Sequence, residues 1–184
     1  MTPPRLLLGP PRFGLAVERI ARHLLERYDT FEDACIVGIQ PRGSVFAERL
    51  HTRLVREAPA LPLGKLDITF FRDDFREGVK QLRPDRMEMP FSTQGKRVIL
   101  VDDVLYTGRT ISAAFAALQS LGRPKRVELV CMVQRRFKRE LPITPDFLGL
   151  SIDALDEAYV RVRWAETDGR DEVVLYPTKA AIKA

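Results

Sequence analysis

With 184 residues, 45% hydrophobic and 30% charged, the chain has the size and core-forming content of one globular domain, not of a membrane-embedded protein. Its net charge of +5 is compatible with an anionic partner without requiring one. No apolar run approaches the roughly 20 residues of a membrane-spanning helix, and the opening MTPPRLLLGPPRFG lacks a secretion signal's apolar stretch. A cytoplasmic protein is expected, with Cys35 and Cys131 as small buried hydrophobes on separate strands.

Leu15 to Tyr28 predicts a helix whose Val17, Ile20, Ala21, Leu24 and Tyr28 face the core. Arg19, Arg22 and His23 then fall on the solvent side, with Arg27 on the flank. Ala34 to Ile39 predicts a fully buried strand, and Ser44 to about Arg56 a helix. The turn between them, Gln40-Pro41-Arg42-Gly43, offers arginine and glycine to an anion. Leu66 to Phe71 is a β-rich run. The charged, aperiodic stretch after it predicts a lid over about residues 72–90, a hairpin without a catalytic part being the plain alternative. Arg97 to Val101 and Arg126 to Val133 predict further strands. Between them Ile111 to Leu121 predicts a helix, stopped by Gly122-Arg123-Pro124. Short strands follow at Phe147 to Leu150, Tyr159 to Trp164 and Val173 to Tyr176. Strands alternating with helices indicate an α/β fold, a central mostly parallel sheet flanked by helices. A small β-rich hood from about 132–184 completes the single domain. Basic residues crowd between Arg123 and Arg139, and acidic ones predominate from Asp146 onward.

The most informative segment is Val98 to Thr110, VILVDDVLYTGRT. A buried strand ends in two adjacent carboxylates, Asp102 and Asp103, and a turn leads into a helix. In open α/β sheets ligands bind beyond the carboxyl ends of the strands. A turn opening a helix presents unpaired N–H groups and a positive dipole end, which cradle a phosphate. Gly108 permits close approach, and the Thr107 and Thr110 hydroxyls add donors. Carboxylates repel a phosphate but accept hydrogen bonds from hydroxyls or hold a metal ion. A phosphate with a vicinal diol beside it describes a ribose 5-phosphate. The plain alternative is a buried strand with two solvated aspartates before an ordinary helix cap. No G-x-x-x-x-G-K-[ST] loop occurs in the sequence.

These residues, together with VGIQPRG (Val37 to Gly43), LDITFFRDD (Leu66 to Asp74), LGRPKRVEL (Leu121 to Leu129) and RELPI (Arg139 to Ile143), resemble the PyrR family of type I phosphoribosyltransferases. The resemblance implies the type I phosphoribosyltransferase fold. It implies the reaction of uracil with phosphoribosyl pyrophosphate (PRPP) to give UMP and pyrophosphate, with Mg²⁺ as cofactor. Asp102 and Asp103 would hold the ribose hydroxyls, directly or through the metal. Tyr106, Thr107, Gly108, Arg109 and Thr110 would hold the 5-phosphate. Pro41, Arg42 and Gly43 would bind pyrophosphate, with a strained non-prolyl peptide nearby. Arg72 and Asp73 would begin the lid, Arg72 acting in catalysis. Within the hood segment Met132 to Arg136, Val133 and Gln134 would meet the uracil. The family also binds pyrimidine-operon leader mRNA in a UMP-dependent manner, which assigns Arg19, Arg22 and Arg27 to RNA. A homo-oligomer, dimer or larger, is implied as well.

Displacement of pyrophosphate from an anomeric carbon passes through an oxocarbenium-like state. Charge neutralisation matters more than a strong base in such a reaction, so His23 and His51 are expected to be ordinary helix residues. Several positions depart from the family pattern. Thr144 and Leu150 are not cationic, Glu18 lies beside Arg19, and Gln134 to Lys138 (QRRFK) replaces an acidic residue, glycine and histidine. Two rivals follow: a non-catalytic PRPP- or UMP-sensing RNA-binding regulator, and a phosphoribosyltransferase for another base.

Overall fold

The structure, a computed structural model, describes residues 3–72, 87–155 and 157–182. Asp73 and most of the expected lid lie outside them. The described elements run β1 (Arg5–Leu8), α1 (Pro10–Arg27), β2 (Ala34–Ile39), α2 (Arg42–Leu54), β3 (Leu63–Leu66), β4 (Arg97–Leu105), α3 (Arg109–Ser120), β5 (Arg126–Arg135), β6 (Phe147–Ile152), β7 (Tyr159–Arg163), α4 (Ala165–Asp168) and β8 (Glu172–Tyr176).

Strands β3-β2-β4-β5-β6 form a wholly parallel sheet in that order. Side chains alternate across it, as strand geometry requires. Ile36, Ile99, Val101, Val130 and Met132 join the core under α1 and α2. Cys35, Val37, Val98, Leu100, Leu129 and Cys131 join the core under α3. Burial on both faces explains why these strands read as continuous apolar runs. Both cysteines are free and buried, as expected.

A second, antiparallel sheet has the order β1-β8-β7. Its Val160, Val162 and Val173, with fully buried Trp164, extend the first core. Phe46 stacks on Trp164 at 5.1 Å, and Phe13 meets the indole edge-on at 5.0 Å. Arg49 of α2 lies over the indole and pairs with Glu166 and Asp171, fastening this sheet to α2.

Some boundaries differ from expectation. Helix α1 begins at Pro10, because proline at the first helical positions sacrifices no hydrogen bond. The stretch Leu66 to Phe71 is not one strand. β3 stops at Leu66, where Asp67 accepts hydrogen bonds from the Thr69 amide at 2.8 Å and hydroxyl at 2.6 Å, turning the chain into a 3-10 turn, Thr69–Phe71. The N-terminal strand β1 was not expected and supplies one edge of the hood sheet. No helix among the described residues is long and apolar enough to cross a membrane.

Candidate active site

Asp102 and Asp103 are consecutive on β4, so they point to opposite faces. Asp102 lines a cavity of about 510 Å³ together with Arg72 and residues 104–111. Asp103 lines another, of about 660 Å³, with Arg42, Tyr106, Arg135, Tyr159, Arg161 and Lys179 among its walls. Val104 and Tyr106 belong to both, so the two cavities meet across the end of β4. Tyr106, Thr107, Gly108, Arg109 and Thr110 all stand around the first cavity. Gly108 is the N-cap of α3 with φ +97°, a left-handed conformation that glycine takes without cost. The first α3 amides therefore open into this space without intrahelical partners.

Both carboxylates are held above the ordinary range. Burial does most of this at Asp102, and its neighbour Asp103 adds to it. Burial pushes Asp103 up to about 6, against the opposing pull of Arg42. Asp102 accepts a hydrogen bond from the Asp103 amide at 2.9 Å. Carboxylates held above their ordinary range, Asp102 buried and Asp103 partly so, suit a ligand that brings hydroxyl donors or a cation. Their all-oxygen chemistry fits Mg²⁺, which favours one or two carboxylates plus phosphate oxygens over a dedicated cage. No group of three His, Cys, Asp or Glu side chains gathers among the described residues.

The turn Pro41, Arg42, Gly43 abuts the same strand end. Gly43 sits so close to β4 that a Cβ there would lie 2.5 Å from the Val101 carbonyl oxygen. The peptide bond Gln40–Pro41 is cis. Arg42 does not hang free in the cavity. Its guanidinium is 3.3 Å from the Asp103 carboxylate and donates to the Val162 carbonyl at 2.5 Å and to Asp168 at 2.6 Å. Burial alone would raise the pKa of Asp168, but hydrogen bonds from the Trp164 amide, Thr167, Arg161 and Arg42 hold it down to about 2. Asp168 thus ties the turn to the hood, a role no local sequence signal announces.

Val133 and Gln134 line neither cavity. Val133 is fully buried in the main core, and Gln134 is half-buried on β5. Arg135, one residue on, is the member of that segment that reaches the second cavity. It is buried with its guanidinium 3.8 Å above the Tyr106 ring, and its Nε has no partner. Arg19, Arg22 and Arg27 are exposed on α1, yet each is engaged. Arg19 donates to the carbonyls of Leu148 and Gly149, Arg22 pairs with Glu18, and Arg27 pairs with buried Glu128. His23 and His51 lie on helices, His23 edge-on to Phe147 and His51 bonded to the Leu61 carbonyl.

A parallel sheet with paired carboxylates and a glycine-capped helix start at its carboxyl edge defines a class: the chain belongs to the phosphoribosyl transferase domain family, whose model matches residues 7–167. Solved relatives share the fold. Trypanosoma cruzi hypoxanthine phosphoribosyltransferase, in complex with the product IMP, superposes with a TM-score of 0.69 at 17% identity, over 97% of this chain and 93% of that one. Within the class, the chain is a member of the PyrR family. The Bifunctional protein PyrR of Deinococcus radiodurans is 42% identical over 178 residues, covering 96% of this chain and 97% of that one. That of Brevibacillus brevis is 45% identical over 159 residues, covering 86% and 88%.

Proposed function

We propose that this protein is a uracil phosphoribosyltransferase that also regulates pyrimidine biosynthetic genes by UMP-dependent binding to leader mRNA. The observation that carries the catalytic reading is the pair of cavities meeting at Asp102 and Asp103, one walled by the phosphate loop, the other by arginines. The 5-phosphate sits against Tyr106 to Thr110, where helix dipole and backbone amides favour an anion. Asp102 and Asp103 accept from the ribose hydroxyls, and Arg72 faces the same space. Pyrophosphate departs toward Arg42 and the turn Pro41 to Gly43. Arg42 already touches Asp103, so a leaving anion meets a positive charge fixed beside the ribose. Mg²⁺ held at Asp102 and Asp103 would neutralise pyrophosphate charge. The base enters on the Arg135–Tyr106 side of the second cavity.

Arg19, Arg22 and Arg27 offer positive charge to RNA on one exposed helix, and electrostatic contact of this kind suits a structured hairpin. A homo-oligomer, dimer or larger, belongs to the same reading, with exposed Leu6 and Leu15 as apolar surface to cover. The testing experiment is pyrophosphate release from PRPP and Mg²⁺ across uracil, hypoxanthine, guanine, adenine and no base. Release with uracil alone is expected. Turnover on another base would reassign the substrate, and PRPP or UMP binding without turnover would make the protein a sensor.

A further inference from the structure

The segment Arg139–Ile143 lines neither cavity, yet it grips the phosphate loop from behind. The amides of Glu140 and Leu141 both donate to the Thr107 carbonyl, at 3.0 and 3.1 Å. The Arg139 guanidinium donates to the Tyr106 carbonyl and, at 3.2 Å, to that of Arg135. The Glu140 carboxylate takes the Arg109 Nε at 2.5 Å. Gly108 lies tight on Leu141, whose Cβ would be 3.2 Å from a Cβ on the glycine.

In a trans peptide the N–H points opposite to the C=O. Holding the carbonyls of Tyr106 and Thr107 toward residues 139–141 therefore turns the amides of Thr107 and Gly108 the other way, to the cavity these residues line. We propose that Arg139, Glu140 and Leu141 are positioning residues that preset the phosphate cradle, acting through the loop backbone and never touching the ligand. The inference rests on the phosphoribosyl reading above. The stretch that does this is remote in sequence, 31 residues separating Arg109 from Glu140. A cradle whose amides are already aimed loses no freedom when the anion arrives.

The test compares UMP with uridine, which differ only in the phosphate, by calorimetric titration of the full-length protein. Wild-type protein should bind UMP more tightly than uridine. In Arg139→Gln that gap should shrink about tenfold while uridine affinity stays unchanged, and Arg139→Lys should recover most of it. In steady state the KM for PRPP should rise about tenfold and the KM for uracil should not move. Unchanged uridine affinity shows that the variant is folded. Equal weakening of both ligands, or a gap that persists in Arg139→Gln, would overturn the positioning role while leaving the transferase reading standing. Wild-type protein that binds UMP no better than uridine would overturn that reading, and this inference with it.

Discussion

Gly43 sets how closely α2 approaches the motif strand, and replacing it with alanine should move Arg42. The added Cβ would stand 2.5 Å from the Val101 carbonyl oxygen, 3.0 Å from the Asp102 Cα and 3.3 Å from its Oδ1, where ordinary contact begins near 3.4 Å. Two of these three neighbours are backbone atoms of a central strand that cannot give way. The helix must therefore retreat by close to an ångström, carrying Arg42 away from Asp103 and from the Val162 carbonyl. Overpacking of this kind costs about 1–3 kcal/mol, which in a chain of this size lowers Tm by about 2–4 °C per kcal/mol. Misplacing a catalytic group by about 1 Å costs on the order of 10²-fold in rate. Gly43→Ala should thus fold with a modestly lower Tm by differential scanning fluorimetry, yet lose about 10- to 100-fold in kcat/KM for PRPP. A variant with wild-type Tm and wild-type PRPP kinetics would refute the claim that glycine is needed for this approach.

Asp103→Asn should abolish most turnover while leaving circular dichroism unchanged; wild-type turnover and PRPP affinity would remove Asp103 from the ribose site. The pKa of Asp103 is raised from 3.8 to about 6, so the folded state holds the proton more tightly than the unfolded one. The stability of the unliganded protein should accordingly fall as pH rises from about 4 to 6, and Asp103→Asn should flatten that slope in a Tm series. Asp168→Asn should weaken PRPP binding several-fold through a loosened Arg42 with uracil KM preserved, as steady-state kinetics would show. Arg19→Glu combined with Arg22→Glu should spare catalysis and weaken RNA binding in a gel-shift assay; equal loss of both would make α1 merely structural.

The parts of the fold legible in the sequence were those set by local pattern. Ala34–Ile39 was predicted residue for residue because a strand buried on both faces is an unbroken apolar run. The loop that walls the first cavity was legible because its glycine, hydroxyls and neighbouring carboxylates lie within nine residues of each other, Asp102 to Thr110. What escaped was built from distant partners. Asp168 meets Arg42 across 126 positions, and nothing around either residue foretells the pair. β1 is four residues long between prolines, and its reason to be a strand is β8. Val133 is fully buried in the core, and it is Arg135, the last residue of β5, that reaches the second cavity. The lid has no clean period in sequence, and residues 73–86 lie outside the described part of the chain.

The pairing of β1 with β8 also orders events during synthesis. Arg5 aligns with Leu175, so β1 leaves the ribosome well before the strand it pairs with. At about 5–20 residues per second, β1 waits on the order of ten seconds with its leucines uncovered. The parallel sheet can meanwhile assemble strand by strand from residues already made. The hood wall that carries Arg161, and with it Asp168's hold on Arg42, closes only at the end. A nascent chain should thus acquire the loop Tyr106 to Thr110 well before Arg42 is fixed. Competence to transfer the ribosyl group therefore waits on the strands that follow β6.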